Sequence, residues 1–212
     1  MTYDFCKRFF DIVCALLGVI VLSPVLLAVA LIIMVTSPGP VFYRGVRTGR
    51  FGKPFRIFKF RSMVVDAEKG PGSTAQQDAR ITPIGHVIRR YKLDELPQLL
   101  NVLIGDMSLV GPRPELPRYT EQYTGEELLI LSVRPGVTDY SSIHFIQLGD
   151  VLGTDDPDRA FEEKVLPMKN RLRVQYVKDR SFWLDLRLIF RTVFKIGKRE
   201  WNTPTSEIPI CK

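Results

Sequence analysis

The order of residues predicts an α/β, mostly helical, membrane-associated domain. Three features predict it. The run from Ile12 to Val35 carries no charge. Short apolar stretches at Val41–Tyr43 and Phe55–Phe60 are separated by glycine-bearing turns. Later segments, ending with Ser181–Arg199, repeat apolar residues at helical spacing. A length of 212 residues suffices for one globular domain with a real core and an appendage. The expected organisation is a membrane helix over 1–36, a cytoplasmic domain over 37–201 and a loose tail over 202–212.

The apolar run reads "IVCALLGVIVLSPVLLAVALIIMV". As a straight helix it would extend roughly 36 Å, enough to cross a hydrocarbon core of about 30 Å. Its length, and the lack of a small-residue cleavage site, argue against a signal peptide. Ser23-Pro24 interrupts its centre. Proline lacks an amide hydrogen and crowds the preceding turn, and the Ser23 hydroxyl can satisfy the carbonyl so freed. Two topologies follow: a kinked spanning helix, or a re-entrant one whose halves, about 17 Å each, enter and leave one leaflet. Lys7 and Arg8 precede the run, and Arg44, Arg47, Arg50 and Lys53 follow it. Basic residues favour the cytoplasmic side, so two basic flanks favour the re-entrant form.

After Ser37-Pro38-Gly39-Pro40, the stretch to Met63 reads as a short β-hairpin. Lys59 and Arg61 alternate with Phe58 and Phe60, so both cations project to one side, either into solvent or toward a ligand. Ala67–Arg80 is a polar, glycine-bearing loop that could order over a ligand. Two short helices follow, the second with Leu96, Leu99, Leu100 and Leu103 on one face. Arg134–Gly149 reads as turn, strand and loop, and Arg159–Tyr176 as a charge-rich helix. In the last helix, Trp183, Leu186, Ile189, Phe190 and Val193 form an apolar set beside a basic row of Arg187, Arg191 and Lys195. Such a helix packs on the domain or lies amphipathically in the headgroup region.

A net charge of +7 calls for an acidic partner: nucleic acid, anionic lipid or nucleotide phosphate. No RNP motif, zinc finger or basic-aromatic repeat is present, which sets nucleic acid aside. Cys6, Cys14 and Cys211 show no CxxC spacing, and His86 and His144 are too few for a histidine metal site. Neither GxxxxGK[ST] nor GxGxxG occurs, so a P-loop or Rossmann nucleotide site is not expected.

The chemistry concentrates in "KLDELPQLLNVLIGDMSLVGPRPE", Lys92–Glu115. Asp94 and Glu95 precede Pro97, which a helix tolerates in its first turn. Both carboxylates thus sit at the positive end of a helix dipole, where they cap the helix or serve chemistry. Arg89 and Arg90 lie just upstream. Arg113 sits between two prolines that preset its backbone. Asp94, Glu95 and Asp106 form an acidic set suited to Mg²⁺. Carboxylates, arginines and Mg²⁺ are the apparatus of phosphoryl transfer, in which one group attacks phosphorus and cations neutralise its oxygens. Adjacent residues on a helix point about 100° apart, so divided roles are expected for the pair.

This stretch, the upstream "FRIFKFRSM", "SPGPVFYR" after the Ser-Pro run, and "RPGVTD" together resemble the bacterial sugar transferase family, specifically its small monotopic phosphoglycosyl transferases. The resemblance covers about Lys7 to Asp185. It implies a re-entrant membrane helix broken at Ser23-Pro24 and a site on the cytoplasmic face of the bacterial inner membrane. It also implies ping-pong transfer of a phospho-sugar from a UDP-sugar to polyprenol phosphate, with UMP released and downstream glycosyltransferases as possible partners. The nucleophile would be Asp94. Glu95 would act with Mg²⁺ and in acceptor deprotonation. Lys59, Arg89 and Arg113 would face the phosphates, and Arg61 and Glu115 join them as candidate substrate-binding residues. One departure stands out. Many members read Thr-Gly-x-x-Gln-Val-x-Gly-Arg after the Arg-Pro-Gly turn, whereas this chain reads "TDYSSIHFIQLGD" and lacks that arginine.

Overall fold

The computed structural model describes residues 2–67, 78–141 and 157–198. Most of the Ala67–Arg80 loop, the end of the Arg134–Gly149 stretch, His144, Cys211 and the tail lie outside them. The described chain is mostly helical, with three two-stranded ladders.

Helix α1 runs Thr2–Thr36. It is long and apolar enough to cross a membrane. It continues through Pro24 as one element. The Ser23 hydroxyl donates to the Ile20 carbonyl at 2.7 Å, the acceptor that the amide of residue 24 would have used in a regular helix. One stripe of α1 is covered: Asp11, Ala15, Val29 and Ile33 are buried, at helical spacing along the whole run. Ala15 packs with Phe55, Ile57, Val102 and Met107. Val29 and Ile33 pack with Phe60 and Ile88. The opposite face is apolar and exposed, with Leu17, Val21, Leu27 and Val35 uncovered.

The predicted hairpin is present as two nested antiparallel ladders. Strands β1 (Phe42–Tyr43) and β4 (Lys59–Phe60) pair outside β2 (Val46–Thr48) and β3 (Pro54–Arg56). The Ile57 amide donates to the Gly45 carbonyl at 3.0 Å between them. Arg61, just past β4, is buried and donates to the carbonyls of Ser37 and Pro38. It therefore caps the end of α1, and does not share the surroundings of Lys59 as alternation suggested. A Cβ on Gly39 would lie 2.2 Å from the Arg61 guanidinium, and Gly39 has φ +115°. Only glycine accepts that turn and that approach. Arg61→Met should strand two carbonyls and lower stability by about 2–4 kcal/mol, read as a drop in Tm.

Helix α2 is Pro83–Arg90, N-capped by Thr82, whose hydroxyl accepts from the Gly85 amide. A 3-10 turn, Leu93–Glu95, leads into α3, Gln98–Ile104. Strand β5 (Ser108–Val110) then pairs in parallel with β6 (Gly136–Thr138). Between them lie the Pro112-Arg113-Pro114 turn, α4 (Pro117–Thr120) and a 3-10 segment, Gly125–Ser132. A Cβ on Gly136 would meet the Gly111 amide nitrogen at 2.0 Å, so glycine permits the two strand ends to approach.

The last part comprises α5 (Pro157–Ala160), a π turn (Phe161–Val165), α6 (Leu166–Asp179) and α7 (Phe182–Lys198). Leu188 of α7 packs on Val110 and Tyr176, with Leu184 and Ile189 beside it. Buried Asp185 accepts from the Tyr3 hydroxyl at 2.9 Å, Lys7 Nζ at 2.7 Å and the Tyr176 hydroxyl at 2.8 Å. These bonds fasten the start of α1 to α6 and α7. Of the apolar set named from the sequence, Ile189 packs inward while Trp183, Phe190 and Val193 are exposed.

Candidate active site

Parallel strands deliver their carboxyl ends to one place, a common location for ligand sites in α/β folds. Here β5 leads directly into Arg113 and β6 into Asp139. The Arg113 amide donates to Asp139 Oδ2 at 3.1 Å, tying the two strand ends together. From this anchored backbone the Arg113 side chain reaches Glu95. Its Nη1 donates to Oε2 at 3.0 Å and its Nη2 to Oε1. Bidentate arginine–carboxylate pairs fix both distance and orientation.

The dyad comes from the 3-10 turn. Lys92, immediately before it, holds a left-handed conformation with φ 56°, which is uncommon for a residue with a side chain. Lys59 approaches from β4, with Nζ 3.2 Å from Glu95 Oε1 and 3.7 Å from Asp94 Oδ2. The hairpin, the dyad turn and the β5 loop thus converge on two carboxylates. Burial alone would raise the Glu95 carboxyl, but the charges of Arg113 and Lys59 overcome it and hold Glu95 well below the usual range. Arg113 is pushed up: burial would lower it, and the Glu95 charge outweighs burial. Lys92 is pulled down, chiefly by burial.

Asp94 differs from its neighbour. It is buried, and its Oδ1 has no hydrogen-bond partner. Glu95 is bonded to Lys59 and Arg113, while Asp94 Oδ1 has no partner. The two neighbouring carboxylates therefore have different surroundings.

The other candidates fall in different places. Arg89 lies in the last turn of α2 and its side chain makes no hydrogen bond among the described residues, though its charge helps lower Asp78. Glu115 pairs with Arg173 Nη2 at 2.6 Å. Asp106 lies beyond the far end of α3 and accepts from Asn101 Nδ2 at 3.2 Å. It does not join the dyad, because the whole of α3 separates them. Among the described residues no group of three potential metal-binding side chains occurs. The acidic set therefore contracts to Asp94 and Glu95. The free Asp94 Oδ1 fits an ion such as Mg²⁺, which takes one or two carboxylates and keeps water and phosphate oxygens for the rest.

A buried ionic layer behind Arg113 was not legible in the sequence. Arg173 is fully buried; Nη1 donates to Asn170 Oδ1 at 3.1 Å, and Nε lies 3.9 Å from Asp139 Oδ2. Ser141 Oγ donates to Asp139 at 2.9 Å. Lys169 is also buried, over the Phe161 ring at 4.9 Å, and burial brings its amine down to about 8. Glu115 would be raised by burial, but Arg173 and Lys169 lower it. Residues 169–173 read "KNRLR", like a solvated face, and no local pattern marks the cations as interior.

The lowered Glu95 and Glu115 carboxyls set an acid-side expectation. Unfolded carboxyls near 4.5 bind protons more readily than these folded ones. Their contribution to stability is complete above that value and is lost as pH falls through the folded values. Tm should therefore fall as pH drops below about 4.5. A Tm that rises on acidification over that range contradicts this.

The model of the bacterial sugar transferase family matches residues 2–199. UDP-glucose:undecaprenyl-phosphate glucose-1-phosphate transferase of Escherichia coli (strain K12) is 40% identical over 193 residues, 89% of this chain and 39% of that protein. UDP-N-acetylgalactosamine-undecaprenyl-phosphate N-acetylgalactosaminephosphotransferase of Aeromonas hydrophila is 38% identical, over 90% of this chain and 43% of its own length. The chain thus spans about two fifths of these two relatives. The sugar transferase EpsL of Bacillus subtilis (strain 168) is 37% identical over 95% of this chain and 94% of its own. With a family match along nearly its whole length, the chain belongs to the bacterial sugar transferases.

Proposed function

We propose that this chain is a membrane-bound phosphoglycosyl transferase that moves a phospho-sugar from a UDP-sugar to polyprenol phosphate, undecaprenyl phosphate in bacteria, and releases UMP. The observation that carries the reading is the contrast within the dyad. Asp94 keeps an unpartnered oxygen in a buried site, and Lys59, Arg113 and Glu95 surround it with fixed charge. The names of the relatives describe the same reaction class.

In the first half-reaction an Asp94 carboxylate oxygen attacks the sugar-bearing phosphorus. The bond from that phosphorus to the bridging oxygen breaks, and UMP leaves with the oxygen and its electron pair. The product is an acyl phosphate joining Asp94 to the sugar phosphate. In the second half-reaction a polyprenol phosphate oxygen attacks the same phosphorus. The Asp94–phosphorus bond breaks, and the carboxylate returns. Lys59 and Arg113 counter the charge on the equatorial oxygens. Mg²⁺, when bound through Asp94 and Glu95, would supply further neutralisation of phosphate. The buried ionic layer holds the Arg113 backbone in place through Asp139.

The site works at a membrane surface. The covered stripe of α1 runs on both sides of Pro24, so a perpendicular crossing would drag the packed polar domain into hydrocarbon. A re-entrant helix with both ends on the cytoplasmic face of the inner membrane avoids that cost. The exposed Trp183 and Phe190 of α7, beside Arg187 and Arg191, suit the headgroup region. The step would commit a sugar to the membrane in glycoconjugate assembly and hand its product to downstream glycosyltransferases.

The test is product identity. Purified protein, Mg²⁺, undecaprenyl phosphate and a panel of UDP-sugars should yield UMP with one or a few donors. UDP as the product would mean transfer of a bare sugar and would overturn the reading.

A further inference from the structure

Arg113 and Asp139 follow the carboxyl ends of β5 and β6. A second cleft opens at the other end of the same strands, beside Ser108, which begins β5, and Arg134, two residues before β6. The first turns of α1 line it, together with Arg50 and Arg180. The lining is basic: Lys7, Arg8, Arg50, Arg134 and Arg180 stand against two carboxylates, Asp4 and Asp11.

Three of these cations are already answered. Lys7 pairs with Asp185 at 2.7 Å and lies 4.0 Å from Asp11. Arg180 donates to Asp4 at 2.9 Å. Arg8 donates to the Val102 and Leu103 carbonyls at 2.7 and 3.2 Å, in the last turn of α3, where carbonyls lack helical partners and the dipole is negative. Arg50 and Arg134 differ. Each bonds only through Nε, to a neutral carbonyl: Ser132 at 3.0 Å and Gly105 at 2.9 Å. Neither makes an ion pair among the described residues, and the Nη atoms of both donate to nothing there. Both side chains are half-buried, so these bonds fix two guanidinium groups and leave their forks open to the cleft. Two like charges in one cleft repel, and an anion between them removes that cost.

We propose that this cleft binds the phosphate of an anionic glycerophospholipid, with the Nη atoms of Arg50 and Arg134 donating to its non-bridging oxygens. This rests on the membrane-surface part of the functional reading and not on phosphoryl transfer. The arginine fork matches phosphate geometry. The cleft holds about 30 Å³, room for about two or three waters, so it takes phosphate oxygens and leaves the rest of the ligand outside. What lies outside is apolar: Phe5 and Phe9, on the same turns of α1, and Trp183, three residues after Arg180, are exposed. That juxtaposition of a cationic cleft and an apolar rim suits a headgroup whose chains enter the bilayer. The net positive lining opposes the ammonium of a zwitterionic headgroup. A lipid held there would fix the start of α1, and the amino ends of β5 and β6, at headgroup depth.

The experiment titrates the full-length chain, in micelles of a neutral detergent, with phosphatidylglycerol and reads Tm. Separate arms use phosphatidylcholine, glycerol 3-phosphate and inorganic phosphate. Phosphatidylglycerol should raise the wild-type Tm to a plateau, as a ligand of the folded state does, and the other three should not. Arg50→Gln and Arg134→Gln are made singly and together, so that a single variant carries the test if the pair does not fold. Glutamine Nε2 takes the chain position of arginine Nε, so it can keep the carbonyl bond while the Nη atoms and the charge are removed. Each single variant should raise the half-saturating phosphatidylglycerol at least about 10-fold, the loss expected for hydrogen bonds to a charged group. The control pair Arg187→Gln and Arg191→Gln removes as much charge from α7 and should change it less than about threefold. A half-saturation within about threefold of wild type in both single variants would overturn the proposal. So would an equal loss in the control pair, which would mean general attraction to an anionic surface. A Tm rise with glycerol 3-phosphate or inorganic phosphate that matches phosphatidylglycerol would overturn the lipid as the source of the phosphate. A wild type released from cell membranes without detergent overturns the membrane reading itself. One that stays with membranes yet shows no rise with phosphatidylglycerol overturns the lipid site alone.

Discussion

Asp94→Asn should abolish UMP release, with a loss of at least about 10⁴-fold, while the protein stays folded. The substitution keeps size and shape, and replaces a nucleophilic oxygen with an amide that cannot form the acyl phosphate. Its structural cost is small. Among the described residues Asp94 makes one ion pair, with Lys59 at 3.7 Å, and its Oδ1 has no hydrogen-bond partner. Loss of activity with Tm within about 3 °C of wild type would separate chemistry from folding. Full turnover by this variant would sink the assignment of Asp94 as nucleophile. Glu95→Gln should behave differently. It leaves an acceptor for Arg113, so the fold should persist, but it removes the charge that balances Arg113 and Lys59, and turnover should fall strongly.

The largest effect on stability is expected at Arg173. Its guanidinium is fully buried among Glu115, Asn170 and Asp139. Arg173→Leu leaves Glu115 and Asp139 without their cation in the interior, and breaking such a pair costs about 3–5 kcal/mol. For a domain of this size that is a fall in Tm of about 10 °C. Replacing Glu115 with Leu in the same chain should restore part of the loss, because one unpaired charge disappears with its partner. Activity should fall as well, since Asp139 carries the Arg113 amide. A single variant with Tm within about 2 °C of wild type would show that the layer holds little.

What was legible in the sequence was local. The charge-free run marks α1, and the Ser-Pro pair marks the one place where its ladder needs repair; Ser23 repairs it. Pro112 and Pro114 fix the Arg113 backbone, and the Asp94-Glu95 pair stands one turn before α3, so short-range chemistry picked out most of the candidate site. What was hidden depends on contacts between distant segments. That Asp106 leaves the dyad follows from the length and direction of α3. That Arg61 caps α1 follows from a close approach to Gly39 which alternation along a strand does not encode. Asp185 sits in the core because Tyr3, Lys7 and Tyr176 surround it. Their bonds turn α7 so that its aromatic side faces outward, opposite to what apolar periodicity in water suggests. Arg173 takes a similar place in α6. Asp139, just after the Arg-Pro-Gly turn, lies 3.9 Å from Arg173 Nε.

The central claim is that Asp94 carries the phospho-sugar between two half-reactions. The most direct measurement omits the acceptor. Protein incubated with its UDP-sugar and Mg²⁺, but no polyprenol phosphate, is examined by intact mass and peptide mapping, with UMP quantified. The account predicts about one UMP per chain and a sugar-phosphate adduct on the peptide containing Asp94, discharged on adding polyprenol phosphate. No adduct and no UMP until the lipid is added, in a protein that then turns over, would contradict it and indicate direct transfer.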